Sequence, residues 1–190
     1  MKQIVNYIYE RLHLTSKQQY SCQPKTKDEL QEIIIQRIKD DGPECDLNDI
    51  DVSKIEYMSN LFNANTNYDL GNEIFKDFNG DISLWNVSNV KHMYFMFCGC
   101  EQFNCDISKW DVSNVINMGW MFDGCKEFNC DISRWDVSNV KNMNYMFCKC
   151  EQFKCDLSSW DVSNVKDIDM CNTFKGCPTK PKWYRGIHKL

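Results

Sequence analysis

The chain has little of what most function classes need. It carries three histidines in 190 residues, His13, His92 and His188, too far apart to form a zinc-site pattern. No apolar run approaches the length of a membrane span, so membrane insertion is not expected. With 22 basic against 27 acidic residues the formal net charge is −5, and no lysine–arginine stripe runs through the sequence, which argues against a nucleic-acid partner. Phosphate-loop, serine-hydrolase and zinc-peptidase signatures are all absent, so catalysis is not expected and no cofactor is indicated. The first twenty residues are broken by Glu10 and Arg11 and show no small-residue cleavage site, which leaves the cytoplasm as the expected compartment.

What is present is a phrase repeated at a fixed interval. DISLWNVSNVKHMYFMF at 81–97 returns as DISKWDVSNVINMGWMF at 106–122 and DISRWDVSNVKNMNYMF at 131–147, and begins again as DLSSWDVSNV at 156–165. Asp81, Asp106, Asp131 and Asp156 are 25 residues apart, as are Trp85, Trp110, Trp135 and Trp160. A period in this range signals stacked structural units that share one continuous core, and such ladders usually bind other molecules.

Three parts follow. Residues 1–42 are expected to form a helical N-terminal cap, because Thr26 and Glu29 have capping-box spacing before Leu30, Ile33, Ile34 and Ile38, and Gly42-Pro43 ends the pattern. That predicts a helix near 27–40, with a second short helix over 1–20 carrying Ile4, Ile8 and Leu12 on one side. Residues 43–177 hold five repeats. The first, 45–62, has Ile50 in place of the tryptophan and is followed by a polar insertion near 63–77, expected to protrude as a loop. Residues 178–190 form a basic tail whose Trp183 and Tyr184 are expected to fold over the last repeat.

Within a repeat the phenylalanine, valine and methionine positions are nearly invariant. FNCDIS reads as a short strand, VSNV as a turn, and NMGWMF as a single helical turn. Parallel strands in neighbouring repeats would then stack about 4.8 Å apart, each apolar column forming a stripe of core.

Twelve cysteines fall mostly in register: Cys100, Cys125 and Cys150 in one column, Cys105, Cys130 and Cys155 with Cys45 in another. Buried free thiols pack as small apolar groups, and side chains of one column point the same way, so structural thiol columns are expected rather than disulfides. A metal- or redox-responsive use of these columns is the alternative. The tryptophans 85, 110, 135 and 160 are expected to pack, given the area each indole buries. Asn89, Asn114, Asn139 and Asn164 and the Asp–Ser pairs are expected to satisfy backbone groups in turns; a calcium ladder on the aspartates would want a glycine-rich nonapeptide, and the chain has eight glycines in all. Positions that vary on this frame are the candidate binding residues: Tyr94, Phe95, Trp120 and Tyr145 between the methionines, and Lys109 and Arg134 in the column of Leu84 and Ser159. Exposed Tyr, Trp and Arg are common interface anchors.

The repeat FNCDISKWDVSNVINMGWMFDGC resembles that of the BspA-like leucine-rich repeat proteins, also called the Mycoplasma-lipoprotein-type or DUF285 repeat, over residues 45–177. The resemblance implies an α/β repeat fold: a right-handed leucine-rich-repeat-like solenoid with a parallel sheet of short strands. Some members are bacterial surface adhesins that bind host proteins, which implies a surface or secreted location as the alternative compartment. The expected function is non-catalytic binding of a protein partner through the strand face or the variable aromatic column, with a surface adhesin or surface structural role as the alternative.

Overall fold

The structure is a computed structural model and describes residues 20–67 and 71–186. The helix expected over 1–20 therefore lies outside the described residues, apart from Tyr20, and so do His13 and His188.

Helix α1 spans Lys27–Asp41. The Thr26 side chain accepts from the Glu29 amide, and Glu29 reaches back to the Lys25 amide, so two of the donors that a helix start leaves open are satisfied. Gly42, at φ 89°, returns its N–H to the Ile38 carbonyl and ends the helix. Leu30, Ile34 and Ile38 point inward and are buried against the first repeat. Gln31 donates to the carbonyls of Asn60 and Leu61 at 3.1 and 2.8 Å, which ties the helix to that repeat. Arg37 forms an ion pair with Asp49 at 2.5 Å.

From residue 45 onward the chain stacks as five rungs, and here the structure departs from the expected architecture. Among the described residues there is no named strand and no sheet, only isolated parallel bridges such as Tyr57–His92, His92–Asn117 and Asn117–Asn142. FNCDIS is not a strand, and the Met-x-x-Met-Phe segment is not a helical turn but a run of hydrogen-bonded turns. A leucine-rich-repeat solenoid with a parallel sheet is thus not the fold of this chain.

Backbone accounting gives the reason. In the second rung the amides of Met93, Phe95, Phe97 and Gly99 donate to Asn117, Gly119, Met121 and Asp123 of the next rung, at 2.7–3.0 Å. The alternating amides of Met96, Cys98 and Cys100 turn back to carbonyls three residues earlier, at 3.0–3.2 Å. Along this segment, amides bonded to the next rung thus alternate with amides bonded locally. A residue with positive φ in each rung (Asn60, Phe95, Trp120, Tyr145, Asn172) interrupts any extended run at the same place.

The core is built from two phenylalanine columns. Phe62, Phe97, Phe122, Phe147 and Phe174 stack from rung to rung with centroids 5.2–5.7 Å apart. Phe78, Phe103, Phe128 and Phe153 form a second stack alongside, at 5.7–6.2 Å. Within a rung the columns touch at 4.0–4.4 Å. Offset stacking of this kind adds about 0.5–1.5 kcal/mol per pair beyond the area buried. Trp85, Trp110, Trp135 and Trp160 are 4–5 % exposed. Each donates its indole N–H to a carbonyl of the preceding rung, Leu47, Ile82, Ile107 and Ile132, at 2.9–3.2 Å.

The two irregular segments continue this pattern. The insertion was expected to be a polar protrusion, but Glu73–Phe75 forms a 3-10 turn that drops Phe75 into the core, fully buried against Phe62. In the tail, Trp183 donates to the Leu157 carbonyl at 2.8 Å and so takes the next place in the tryptophan column. Trp183 and Tyr184 both meet Phe174 edge-on, at 5.8 and 5.0 Å.

Candidate interaction surface

The invariant polar columns are used up by the frame. Asn89, Asn114, Asn139 and Asn164 each donate to a serine carbonyl of the preceding rung, at 2.6–2.8 Å. Asp81, Asp106, Asp131 and Asp156 accept from the amide two residues on, at 2.9–3.0 Å. Those bonds from Ser108, Ser133 and Ser158 hold the Asp106, Asp131 and Asp156 carboxyls below the usual range.

All twelve cysteines are free. Cys100, Cys125 and Cys150 are fully buried and donate their thiols to the Phe62, Phe97 and Phe122 carbonyls at 2.9–3.0 Å. Burial pushes all three well above the ordinary thiol value. Cys105, Cys130 and Cys155 are half-buried beside the aspartate of the preceding rung, and desolvation pushes each up to about 11. Thiols held protonated are poor nucleophiles and poor metal ligands. Among the described residues no three His, Cys, Asp or Glu side chains converge as metal ligands.

Lys109 and Arg134 line this aspartate–cysteine side. Three shallow clefts of ≈ 320, ≈ 530 and ≈ 640 Å³ share residues from rung to rung and form one groove along it. None of the candidate aromatic residues lines that groove.

The aromatic residues meet one another on a separate ledge. Phe95 stacks on Trp120 at 5.3 Å and 13°, and Trp120 on Tyr145 at 4.9 Å and 11°. Tyr94 meets both Phe95 and Trp120 edge-on, at 4.4 and 5.4 Å. Gly119 makes this possible: a Cβ there would lie 3.3 Å from the Tyr94 ring and 3.1 Å from Asn142 Oδ1. Beside the ledge, Tyr57 stacks on His92 at 5.0 Å and is 57 % exposed. Phe95 is buried by this arrangement, while Tyr94, Trp120 and Tyr145 stay half-exposed.

The backbone under the ledge is unusual. Phe95, Trp120 and Tyr145 have φ of 57°, 54° and 56°, a left-handed conformation that costs a bulky residue about 1–2 kcal/mol. The same place in the first and last rungs is held by Asn60 and Asn172, a residue type that tolerates it. Asn172 Nδ2 also donates to the Tyr145 hydroxyl at 2.8 Å, closing that end of the stack. The sequence showed the variable aromatics but not that three share a strained turn. The signal available was the asparagine in register at positions 60 and 172.

A further cleft of ≈ 360 Å³ lies between the insertion and the rungs and includes Lys76, Lys126, Lys149, Glu101 and Asp123. No pattern in the repeat announced it, because it exists only where the period is broken. Asp123 Oδ1 is buried without a hydrogen bond, and burial pushes the carboxyl up, with Cys148 and Lys149 opposing. Cys98 and Cys148, in the same column as Asp123, are pushed up to about 12 by burial and by its charge.

The frame itself is what other sequences share. Residues 70–183 match the family described as Mycoplasma protein of unknown function, DUF285. The chain belongs to this DUF285 family. The match runs to Trp183, the residue that carries the DUF285 tryptophan column into the tail. No curated protein and no solved structure matches the chain. Among the described residues no helix is long and apolar enough to cross a membrane.

Proposed function

We propose that this DUF285 chain is a non-catalytic protein-binding module and that the Tyr94–Phe95–Trp120–Tyr145 ledge is its contact surface. One observation carries the reading. Three consecutive rungs keep large aromatic residues at a backbone position that disfavours them, while the rungs on either side use asparagine there. Strain of this kind persists where something other than folding needs the side chain.

The stacking narrows the ligand type. Trp120 is stacked between Phe95 and Tyr145, so the part of it that reaches solvent is its edge, while Phe95 is buried. A sugar ring or a base stacks on a free face; a protein side chain packs against edges. The sequence resemblance to the BspA-like proteins, some of which are adhesins, points to binding as well. In the groove the thiols of Cys130 and Cys155 face the Asp106 and Asp131 carboxylates, but desolvation raises the thiols to about 11 and so disfavours the thiolate a nucleophile needs.

The test is site-specific photo-crosslinking in the native cells. The photoreactive p-benzoylphenylalanine replaces Tyr94 in one variant and Arg134, in the aspartate–cysteine groove, in another. A discrete crosslinked protein from position 94 and none from 134 supports the ledge; the reverse pattern moves the contact surface to the groove.

A further inference from the structure

From the ledge and its surroundings we infer the chemistry of the partner: an acidic peptide segment with an apolar or aromatic anchor. The inference rests on the ledge being the contact surface. It goes beyond it by using the charges on both sides.

Lys141 and Lys166 occupy one position in consecutive rungs, just before the column of bridge residues that borders the ledge. Lys149 and Lys175 occupy another, just past the aromatic turn, and their backbones are joined by a 2.7 Å hydrogen bond. All four side chains are exposed, and among the described residues none makes an ion pair. Lys91, which shares the column of Lys141, is by contrast already paired with Glu56 at 2.6 Å. Lysines thus precede and follow Tyr145 along its rung, at 141 and 149, in a chain whose formal net charge is −5.

The acidic groups nearby, Asp123, Glu151 and Asp169, form no ion pair with these lysines among the described residues, and burial pushes the Asp123 carboxyl up. The aspartates of the repeat lie in the groove that the ledge residues do not line. Aromatic edges carry the positive side of the ring quadrupole, so carboxylates are favoured against them too. An extended acidic segment could set its anchor against Trp120 and Tyr145 and its carboxylates toward both lysine pairs. Each exposed ion pair contributes little alone, but together they set partner choice and encounter rate.

The test is selection of a random twelve-residue peptide display library on the full chain, followed by fluorescence anisotropy of the enriched peptides. Two variants are compared: Trp120→Asn, and the triple Lys141→Glu/Lys166→Glu/Lys175→Glu. Lys149 is left in place because its φ of 60° makes substitution there a backbone change as well. All three exchanged lysines are exposed, and far-ultraviolet circular dichroism checks that the variants fold. The expected result is peptides of net negative charge that lose binding to Trp120→Asn and bind the triple variant about tenfold or more weakly, with affinity falling as salt rises. Enriched peptides of neutral or positive charge that still need Trp120 overturn the acidic partner and leave the ledge standing. Peptides indifferent to Trp120 overturn both, and so does the absence of any enriched peptide. Competition by single-stranded oligonucleotide at lower concentration than the acidic peptide would overturn the inference in favour of nucleic acid.

Discussion

Replacing Trp120 separates backbone strain from side-chain contact. The indole loses two stacked partners, Phe95 and Tyr145, and one edge contact with Tyr94 in any truncation. The two stacked pairs at about 0.5–1.5 kcal/mol each, with about 1–2 kcal/mol for the half of the ring that is buried, give a loss of about 2–5 kcal/mol. Asparagine tolerates the φ of 54° found at this residue and alanine does not. Trp120→Asn therefore recovers about 1 kcal/mol that Trp120→Ala cannot. The expected order of stability is wild type, then Trp120→Asn about 1–4 kcal/mol lower, then Trp120→Ala about 1 kcal/mol lower again. Equilibrium urea unfolding at constant slope reads the gap between the two variants as a midpoint difference of roughly 0.5 M, for a slope of about 2 kcal/mol per M. An alanine variant as stable as the asparagine one would refute the idea that this turn is strained.

Two further outcomes follow from the frame. Trp135→Phe keeps an aromatic ring but removes the pyrrole part of the indole and its N–H bond to the Ile107 carbonyl at 3.2 Å, which still accepts from the Trp110 amide, and should lower stability by about 1–2 kcal/mol in the same assay. Stability should also fall as pH rises above about 9, the ordinary value for these thiols, through the folded values of about 11 for Cys105, Cys130 and Cys155 and about 12 for Cys98 and Cys148. The sign follows from proton binding: in that window the unfolded chain gives up thiol protons that the folded chain keeps, so deprotonation favours unfolding. Thermal midpoints measured from pH 8 to 11 under reducing conditions, for wild type and for Cys105→Ser/Cys130→Ser/Cys155→Ser, check this; equal slopes would exclude those three thiols as the cause.

The sequence reveals different parts of this molecule to different degrees. Helix α1 was legible because its signals are local: Thr26 and Glu29 at capping spacing, Leu30, Ile34 and Ile38 on one face, Gly42 at the end. The 25-residue period was legible because one phenylalanine, one tryptophan and one asparagine must recur to meet the same neighbour in the next rung. The path of the chain within a rung was not. DISKWDVSNV has the β-branched residues of a strand, yet its amides turn back on carbonyls three residues away, as Trp110 does to Ile107 and Val115 to Val112. Whether an amide bonds locally or to the next rung depends on neighbours 25 residues off, which a window of ten residues does not contain. The insertion misled for a similar reason: a polar stretch carrying Phe75 reads as a loop until Phe62 and Phe78 are brought beside it. At the candidate surface the four aromatics could be chosen from their variability. Their separation from Lys109 and Arg134, and the left-handed turn they share, required the backbone.

The most direct test of the binding surface is quantitative partner capture from native extract by wild type and by Trp120→Asn/Tyr145→Asn. That double variant has at both positions the residue already found at positions 60 and 172. The expected result is a protein that still unfolds in one cooperative transition while the proteins held by wild type are lost. Full retention of those proteins by the folded double variant would contradict the assignment of the ledge as the place where this chain meets its partner.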